Sequence, residues 1–272
     1  MEELIRTENL GVRYGEHNVL KGINLTVHRD EIVVILGASG CGKSTLLRHL
    51  IGLRRPDEGR VMMFGKDLYA LDENERSQTL TRIGMLFQSA ALFNSMSLED
   101  NIALPLIEHR GMAPEVAVMI AQMKLALVGL EQSARLLPSE ISGGMKKRAG
   151  LARAMALDPE ILLFDEPSAG LDPVTARSLD DLILSLKQRL HVGMVVVTHE
   201  LPSINLITDR AVMLDRGKVA ASGSLKEVQA SKDPVVQAFF ARSAALNAGG
   251  KRRDGIAELM RIASARQPQS KA

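Results

Sequence analysis

An α/β fold is predicted, with a mostly parallel sheet at its centre, an antiparallel β subdomain and an inserted helical subdomain. Three features predict it. Short apolar runs at Glu31–Leu36, at ILLF before Asp165, and at MVVV before Thr198 lack polar alternation, so both faces of each strand must be covered, as in a parallel sheet. The first thirty residues alternate instead, as in VLKGINLTVH, which is the pattern of antiparallel strands. Asn94 to Pro138 carries helical spacing and interrupts the succession of apolar strands, marking an inserted lobe.

The remaining elements are read in chain order. GRVMMFGKDL and AVMLDRGKVAASG read as hairpins closed by glycine-bearing turns. With 272 residues, 46% of them hydrophobic, the chain is long enough to bury a sizeable core. Residues 1–245 are read as one domain, its helical lobe at about 94–157, and 246–272 as a C-terminal tail. In that tail Ile256, Leu259, Met260 and Ala263 share a helical face after Asp254, so a short amphipathic helix is one reading and disorder the other. A net charge of +2 is too small to argue for nucleic acid as a partner. The N-terminus MEELIRTENL is acidic where an export signal is basic. The longest apolar candidate, Met112 to Leu130, is broken by Pro114, Glu115, Gln122 and Lys124, so a soluble chain is expected. The single cysteine, Cys41, fits a reducing cytoplasm.

The chemistry is concentrated in GASGCGKST, Gly37 to Thr45. It comes after an apolar strand and opens a helical stripe at Leu46, Leu47, Leu50 and Ile51, the context that the pattern G-x-x-x-x-G-K-[ST] requires. Glycines let backbone N–H groups turn inward, and the helix N-terminus adds its unpaired donors, so the loop cradles anionic oxygens. Lys43 is placed to meet the β and γ phosphates of a nucleoside triphosphate, Ser44 to reach a bridging Mg²⁺, and Thr45 to add support. The strand ILLFDE delivers Asp165 and Glu166 to a sheet edge, one acid suited to metal and the other to polarising the attacking water. GMVVVTHE delivers His199 to the same edge as a γ-phosphate contact, with a structural histidine as the plainer reading. Further on, Ser142 caps a second helix that begins with Gly143 and Gly144, another terminus suited to an anion. One nucleotide cannot easily use both termini, so this one is expected to serve a nucleotide held by a second copy. Cys41, at the start of the phosphate-loop helix, is expected to have a favoured thiolate whose alkylation blocks nucleotide binding, against the plainer reading of a tolerated small residue.

In this order and spacing, over about residues 5–240, the motifs resemble those of ABC transporter ATP-binding subunits, and within that family the chain is similar to the Mla-type phospholipid transport ATPases. Gly37–Thr45 matches the Walker A loop, Gln88 in MLFQSAALF the Q-loop, ISGGM the signature, ILLFDE the Walker B strand, SAGLD the D-loop and His199 the switch histidine. The resemblance implies a P-loop NTPase fold, the cofactors ATP and Mg²⁺, and hydrolysis by Glu166 with His199 and Gln88. It implies nucleotide contacts at Tyr14, Gly37, Ser39, Gly40, Cys41, Gly42, Lys43, Ser44, Thr45, Ser142, Gly143 and Gly144, and metal contacts at Ser44, Gln88 and Asp165. Tyr14 is the adenine-stacking aromatic in this reading; an ordinary strand tyrosine is the alternative. Implied partners are a second copy, a transmembrane Mla-type permease whose coupling helix docks near Gln88–Asn94 on residues such as Leu92 and Phe93, a small STAS-domain subunit and a periplasmic MCE protein. The implied location is the cytoplasmic face of the inner membrane. The implied task is moving phospholipid between the membranes of a Gram-negative envelope to maintain outer-membrane asymmetry. An importer of amino acids or other small solutes, and a soluble ATPase acting on ribosomes or DNA, are the alternatives. The signature departs from LSGGQ at Ile141 and Met145, and Met145 lacks the amide of glutamine.

Overall fold

The computed structural model describes residues 2–248. Two sheets share the molecule. A six-stranded sheet is ordered β10-β9-β3-β8-β7-β6, from β3 (Ile32–Leu36), β6 (Ile83–Leu86), β7 (Ile161–Asp165), β8 (Gly193–Val197), β9 (Arg210–Asp215) and β10 (Lys218–Gly223). All its neighbours run parallel except the β9–β10 hairpin. A four-stranded antiparallel sheet, ordered β2-β1-β4-β5, comes from β1 (Glu3–Tyr14), β2 (His17–His28), β4 (Glu58–Met63) and β5 (Lys66–Asp67). Both expected hairpins are present, turning at Phe64–Gly65 and Arg216–Gly217, each with positive φ.

The missing alternation in the apolar runs has a direct cause. In β3, Ile32, Val34 and Leu36 enter one core while Val33 and Ile35 enter another, and β7 and β8 divide in the same way. All five residues of β3 and of β8 are buried. Each such aliphatic side chain contributes about 1.5–3 kcal/mol of transfer free energy. The second core lies between the two sheets and includes α1 (Lys43–Leu50). The first is covered by α3 (Leu98–Arg110), α4 (Pro114–Leu127), α5 (Gly143–Ala154), α6 (Pro173–Leu190) and α7 (Leu201–Ile207).

Helices α3 to α5, with short 3-10 turns at Glu131–Ser133 and Pro138–Glu140, fill the inserted segment. The short α2 (Glu73–Leu80) precedes β6, and α8 (Leu225–Gln229) and α9 (Pro234–Ala248) come after β10. Helix α9 runs unbroken past Phe240, where the sequence pattern changes, and across 245. The expected tail helix lies outside the described residues. Among the described residues no helix is long and apolar enough to cross a membrane.

Helices α6 and α7 are joined through a buried carboxyl. Ser203 Oγ donates to Asp180 Oδ2 at 2.6 Å, while Asp180 Oδ1 is buried without a partner. Burial pushes the Asp180 carboxyl above the usual aspartate range. The folded chain therefore binds this proton more tightly than the unfolded chain does. The stability involved is fully present below the unfolded pKa and is lost as pH rises through the folded one. Asp180→Asn keeps an acceptor for Ser203 and removes the ionisation. Urea unfolding midpoints should favour the variant at pH 7.5, with the gap narrowing toward pH 5; a wild-type midpoint equal to or above the variant's at pH 7.5 contradicts this.

Candidate active site

The site begins at the carboxyl end of β3, where the chain turns through 37–42 into α1. Two glycines make this turn possible. At Gly37, φ +145, a Cβ would lie 2.4 Å from Leu214 O, and at Gly42, φ +112, it would lie 2.6 Å from Leu20 Cδ2. Helix α1 has no side-chain cap, so its first donors stay free for an anion. Lys43, only 9% exposed, curls back over the loop, its Nζ donating to Gly37 O at 2.8 Å and Ala38 O at 3.1 Å. Phosphate oxygens entering the loop would compete with these carbonyls for the ammonium group.

The other side chains arrive through sheet register. Parallel pairing sets Asp165 opposite Val197 and Ile35 opposite Val197, so β3, β8 and β7 end at one level. Ser44 Oγ donates to Asp165 Oδ1 at 3.2 Å. One residue on, Glu166 has φ +48, a left-handed backbone that costs a non-glycine residue about 1–3 kcal/mol and is held only by its surroundings. Its N–H donates to Val197 O at 2.8 Å, and its carbonyl accepts from Ala169 N at 3.2 Å and Lys147 Nζ at 3.1 Å. Its carboxylate meets His199 Nδ1 at 3.0 Å through both oxygens, which requires the ring proton on Nδ1.

One cleft of about 1000 Å³ has walls that include Gly37, Ser39, Gly40, Gly42, Lys43, Ser44, Thr45, Gln88, Glu166 and His199, and Asp165 is joined to it through Ser44. Tyr14, Cys41, Asp165 and the signature residues Ser142, Gly143 and Gly144 do not line it. Tyr14 ends β1, 38% exposed, with the Arg54 guanidinium 4.5 Å from its ring centroid. Ser142 caps α5 as expected, its Oγ accepting from Met145 N at 3.3 Å, and Ser142 and Gly143 stay exposed. Gly144 has a packing reason: a Cβ there would lie 2.4 Å from Thr175 Cγ2 of α6. Near the Q-loop, Phe93 is 51% exposed, whereas Leu92 packs partly against the core.

Cys41 corrects the expectation of a favoured thiolate. Its side chain is 6% exposed, and burial pushes the thiol up, outweighing the attraction of Lys43. The sulfur points under the loop, where a Cβ on Gly37 would meet it at 2.6 Å.

Sequence reasoning missed several residues. Val19, Glu200, Leu201 and Met213 line the cleft, and so do Pro234, Val235, Ala238 and Phe239 of α9, four residues in the period of one helical face. Lys147 was also missed, although its spacing from Gly144 and Leu151 places it on the buried side of α5.

A glycine loop at a strand end, a lysine folded into it, and a hydroxyl–carboxylate pair beside a histidine–glutamate pair define a nucleoside-triphosphate-binding protein of the P-loop class. The chain belongs to the ABC transporter family, whose match covers residues 20–169. It is 42% identical to the intermembrane phospholipid transport system ATP-binding protein MlaF of Escherichia coli K12 over 87% of this chain and 88% of the relative. To MlaF of Haemophilus influenzae it is 39% identical over 88% of this chain and 90% of the relative. Among solved structures it is similar to a dimeric ATP-binding cassette, MJ0796, in a post-hydrolysis state bound to ADP and Pi, with TM-score 0.74 and 32% identity over 82% of this chain and 99% of that one.

Because Cys41 is buried with a raised pKa, iodoacetamide at pH 7.5 should leave the native thiol unmodified for hours and label it fully in urea. Mass spectrometry reads the outcome; rapid native labelling would show that the loop exposes its sulfur.

Proposed function

We propose that this chain is the ATP-hydrolysing motor subunit of a complex that moves phospholipid between membranes, peripheral to the cytoplasmic face of an inner membrane through a transmembrane permease. One observation carries the catalytic part: Lys43, Ser44, Glu166 and His199 line one cleft at one sheet edge, with Ser44 bonded to Asp165 and His199 to Glu166. The cargo rests on the likeness to the MlaF relatives over nearly their whole length.

In this reading Gly37 to Thr45 hold the triphosphate through backbone N–H groups, and Lys43 leaves its loop carbonyls for the β and γ oxygens. Glu166 accepts the proton of the attacking water, and His199 fixes the carboxylate while facing the γ-phosphate. Ser44, Asp165 and Gln88 would hold Mg²⁺. Hydroxyl and carboxylate oxygens suit it, and no cluster of three or more metal-binding side chains exists among the described residues, in keeping with an ion completed by phosphate and water. The ion, when bound, neutralises charge developing on the phosphate oxygens. Tyr14 would stack on adenine once its ring gives up Arg54.

The exposed Ser142 terminus, absent from the chain's own cleft, is the part a second copy would use, so two copies close on two nucleotides. Closure moves the permease. Its docking point is the groove between α2, β6 and α3, which includes Phe87, Pro105, His109 and Arg153 beside the Q-loop. A small STAS-domain subunit and a periplasmic MCE lipid-binding protein complete the complex by likeness to the Mla group.

Lys43→Ala should lose ATP binding and lower hydrolysis by at least ~100-fold, while Glu166→Gln should keep ATP binding, lower kcat by about 10²–10³-fold and accumulate as an ATP-bound dimer. Phosphate release, nucleotide binding and size-exclusion chromatography measure these outcomes; wild-type turnover by either variant refutes the catalytic assignment. Isolation of the complex from native membranes tests the cargo, with bound phospholipid and an MCE protein expected.

A further inference from the structure

We propose that Lys147 is a positioning residue for ATP hydrolysis, one buried ammonium group that ties the backbone of Gln88 to the backbone of Glu166. The inference rests on the reading of Glu166 as the group that activates water. Lys147 is 5% exposed, and its Nζ donates to Gln88 O at 2.5 Å and to Glu166 O at 3.1 Å. These two carbonyls are its hydrogen-bond acceptors among the described residues. A lysine that merely covers apolar surface extends its charged end to water. This one turns inward. Taking an ammonium group out of water carries a cost that a packing role would not require.

The geometry shows what that cost secures. Glu166 stands in the left-handed region, and the direction of its side chain is set by the peptide planes on either side. The plane before it is fixed by its N–H on Val197 O of β8. The plane after it is fixed by Lys147 and the weaker Ala169 contact. Removing the ammonium group releases the second plane, and displacing a catalytic group by about 1 Å can cost ~10²-fold in rate.

The other end of the tie has similar needs. The Q-loop continues through Ala90 and Ala91, two successive non-glycine residues with φ +62 and +50. Their carbonyls accept from Arg153, at 3.0 Å and 2.7 Å, on the same helix as Lys147. Helix α5 thus clamps the Q-loop with two cations, and only Lys147 also reaches the end of β7. A shift of the inserted lobe that carries α5 is therefore felt at Gln88 and Glu166 together.

The test is steady-state hydrolysis by the full-length chain in its purified membrane complex, with ATP affinity and thermal unfolding measured in parallel. Lys147→Met should lower kcat by about 10–100-fold with KM and ATP affinity changed less than about threefold, and Lys147→Arg should recover most of the loss. Should Lys147→Met fail to fold, Lys147→Gln carries the same expectation, because a shorter neutral amide cannot span both carbonyls. In a Glu166→Gln background Lys147→Met should add no further loss, since both act through one group. Wild-type kcat in Lys147→Met or Lys147→Gln, a loss confined to KM, or a full additive loss in the double variant overturns the proposal while leaving Glu166 in place. Wild-type turnover by Glu166→Gln alone removes the reading of Glu166 and this proposal with it.

Discussion

The site depends on the complete desolvation of three adjacent parallel strands. β3, β8 and β7 lie between two apolar cores, so their backbone groups have no water to turn to and must pair with one another. Slipping any one by a residue would exchange its two faces and break the ladder. Register is therefore strongly fixed, and with it the level at which each strand stops. The phosphate loop, the two acids and the histidine come together because each stands at the end of one of these strands or within a few residues of it.

Backbone geometry just beyond the strand ends is less ordinary than that of the strands themselves. Glu166, Ala90 and Ala91 all occupy backbone conformations that side chains disfavour, and each is held by a cation from α5 or an amide contact. Lys147 and Arg153 are both buried enough that desolvation lowers their pKa values, and backbone carbonyls rather than carboxylates solvate them. The helix that starts with the signature serine thus also braces the sheet edge that carries the candidate site. Its glycines serve both parts: Gly143 stays open to solvent, whereas Gly144 is filled against by Thr175.

Most of this architecture was legible in the sequence because it rests on local signals. The unalternated runs mark β3, β7 and β8, though not β6 or the parallel pairing of β9, while the glycine loop marks the turn into α1 and Ser142 the start of α5, all within a residue of where they stand. The features that were not legible depend on contacts distant along the chain. The thiol of Cys41 was read from its place at a helix start, but its behaviour is set by the loop that closes over it. The spacing of Lys147 marks the buried side of α5, but nothing local marks what it binds, because its acceptors lie 59 and 19 residues away. The wall supplied by α9 was hidden for the same reason: nothing in Pro234 to Phe239 announces a neighbour near residue 40.

The order of the central sheet also governs when the cleft can exist. The strand that leads into the phosphate loop is flanked by β8 and β9, with Ile32 paired to Met194 and Val33 to Arg210. On a chain emerging from the ribosome, roughly 160 residues must be made after the phosphate loop before both flanking strands arrive, and such distant pairing is slow to form. Throughout that interval IVVIL is an apolar strand with two open edges. The same burial that later fixes the geometry of the cleft thus leaves the newborn polypeptide with an unpaired apolar segment, open to self-association, until β9 has been made.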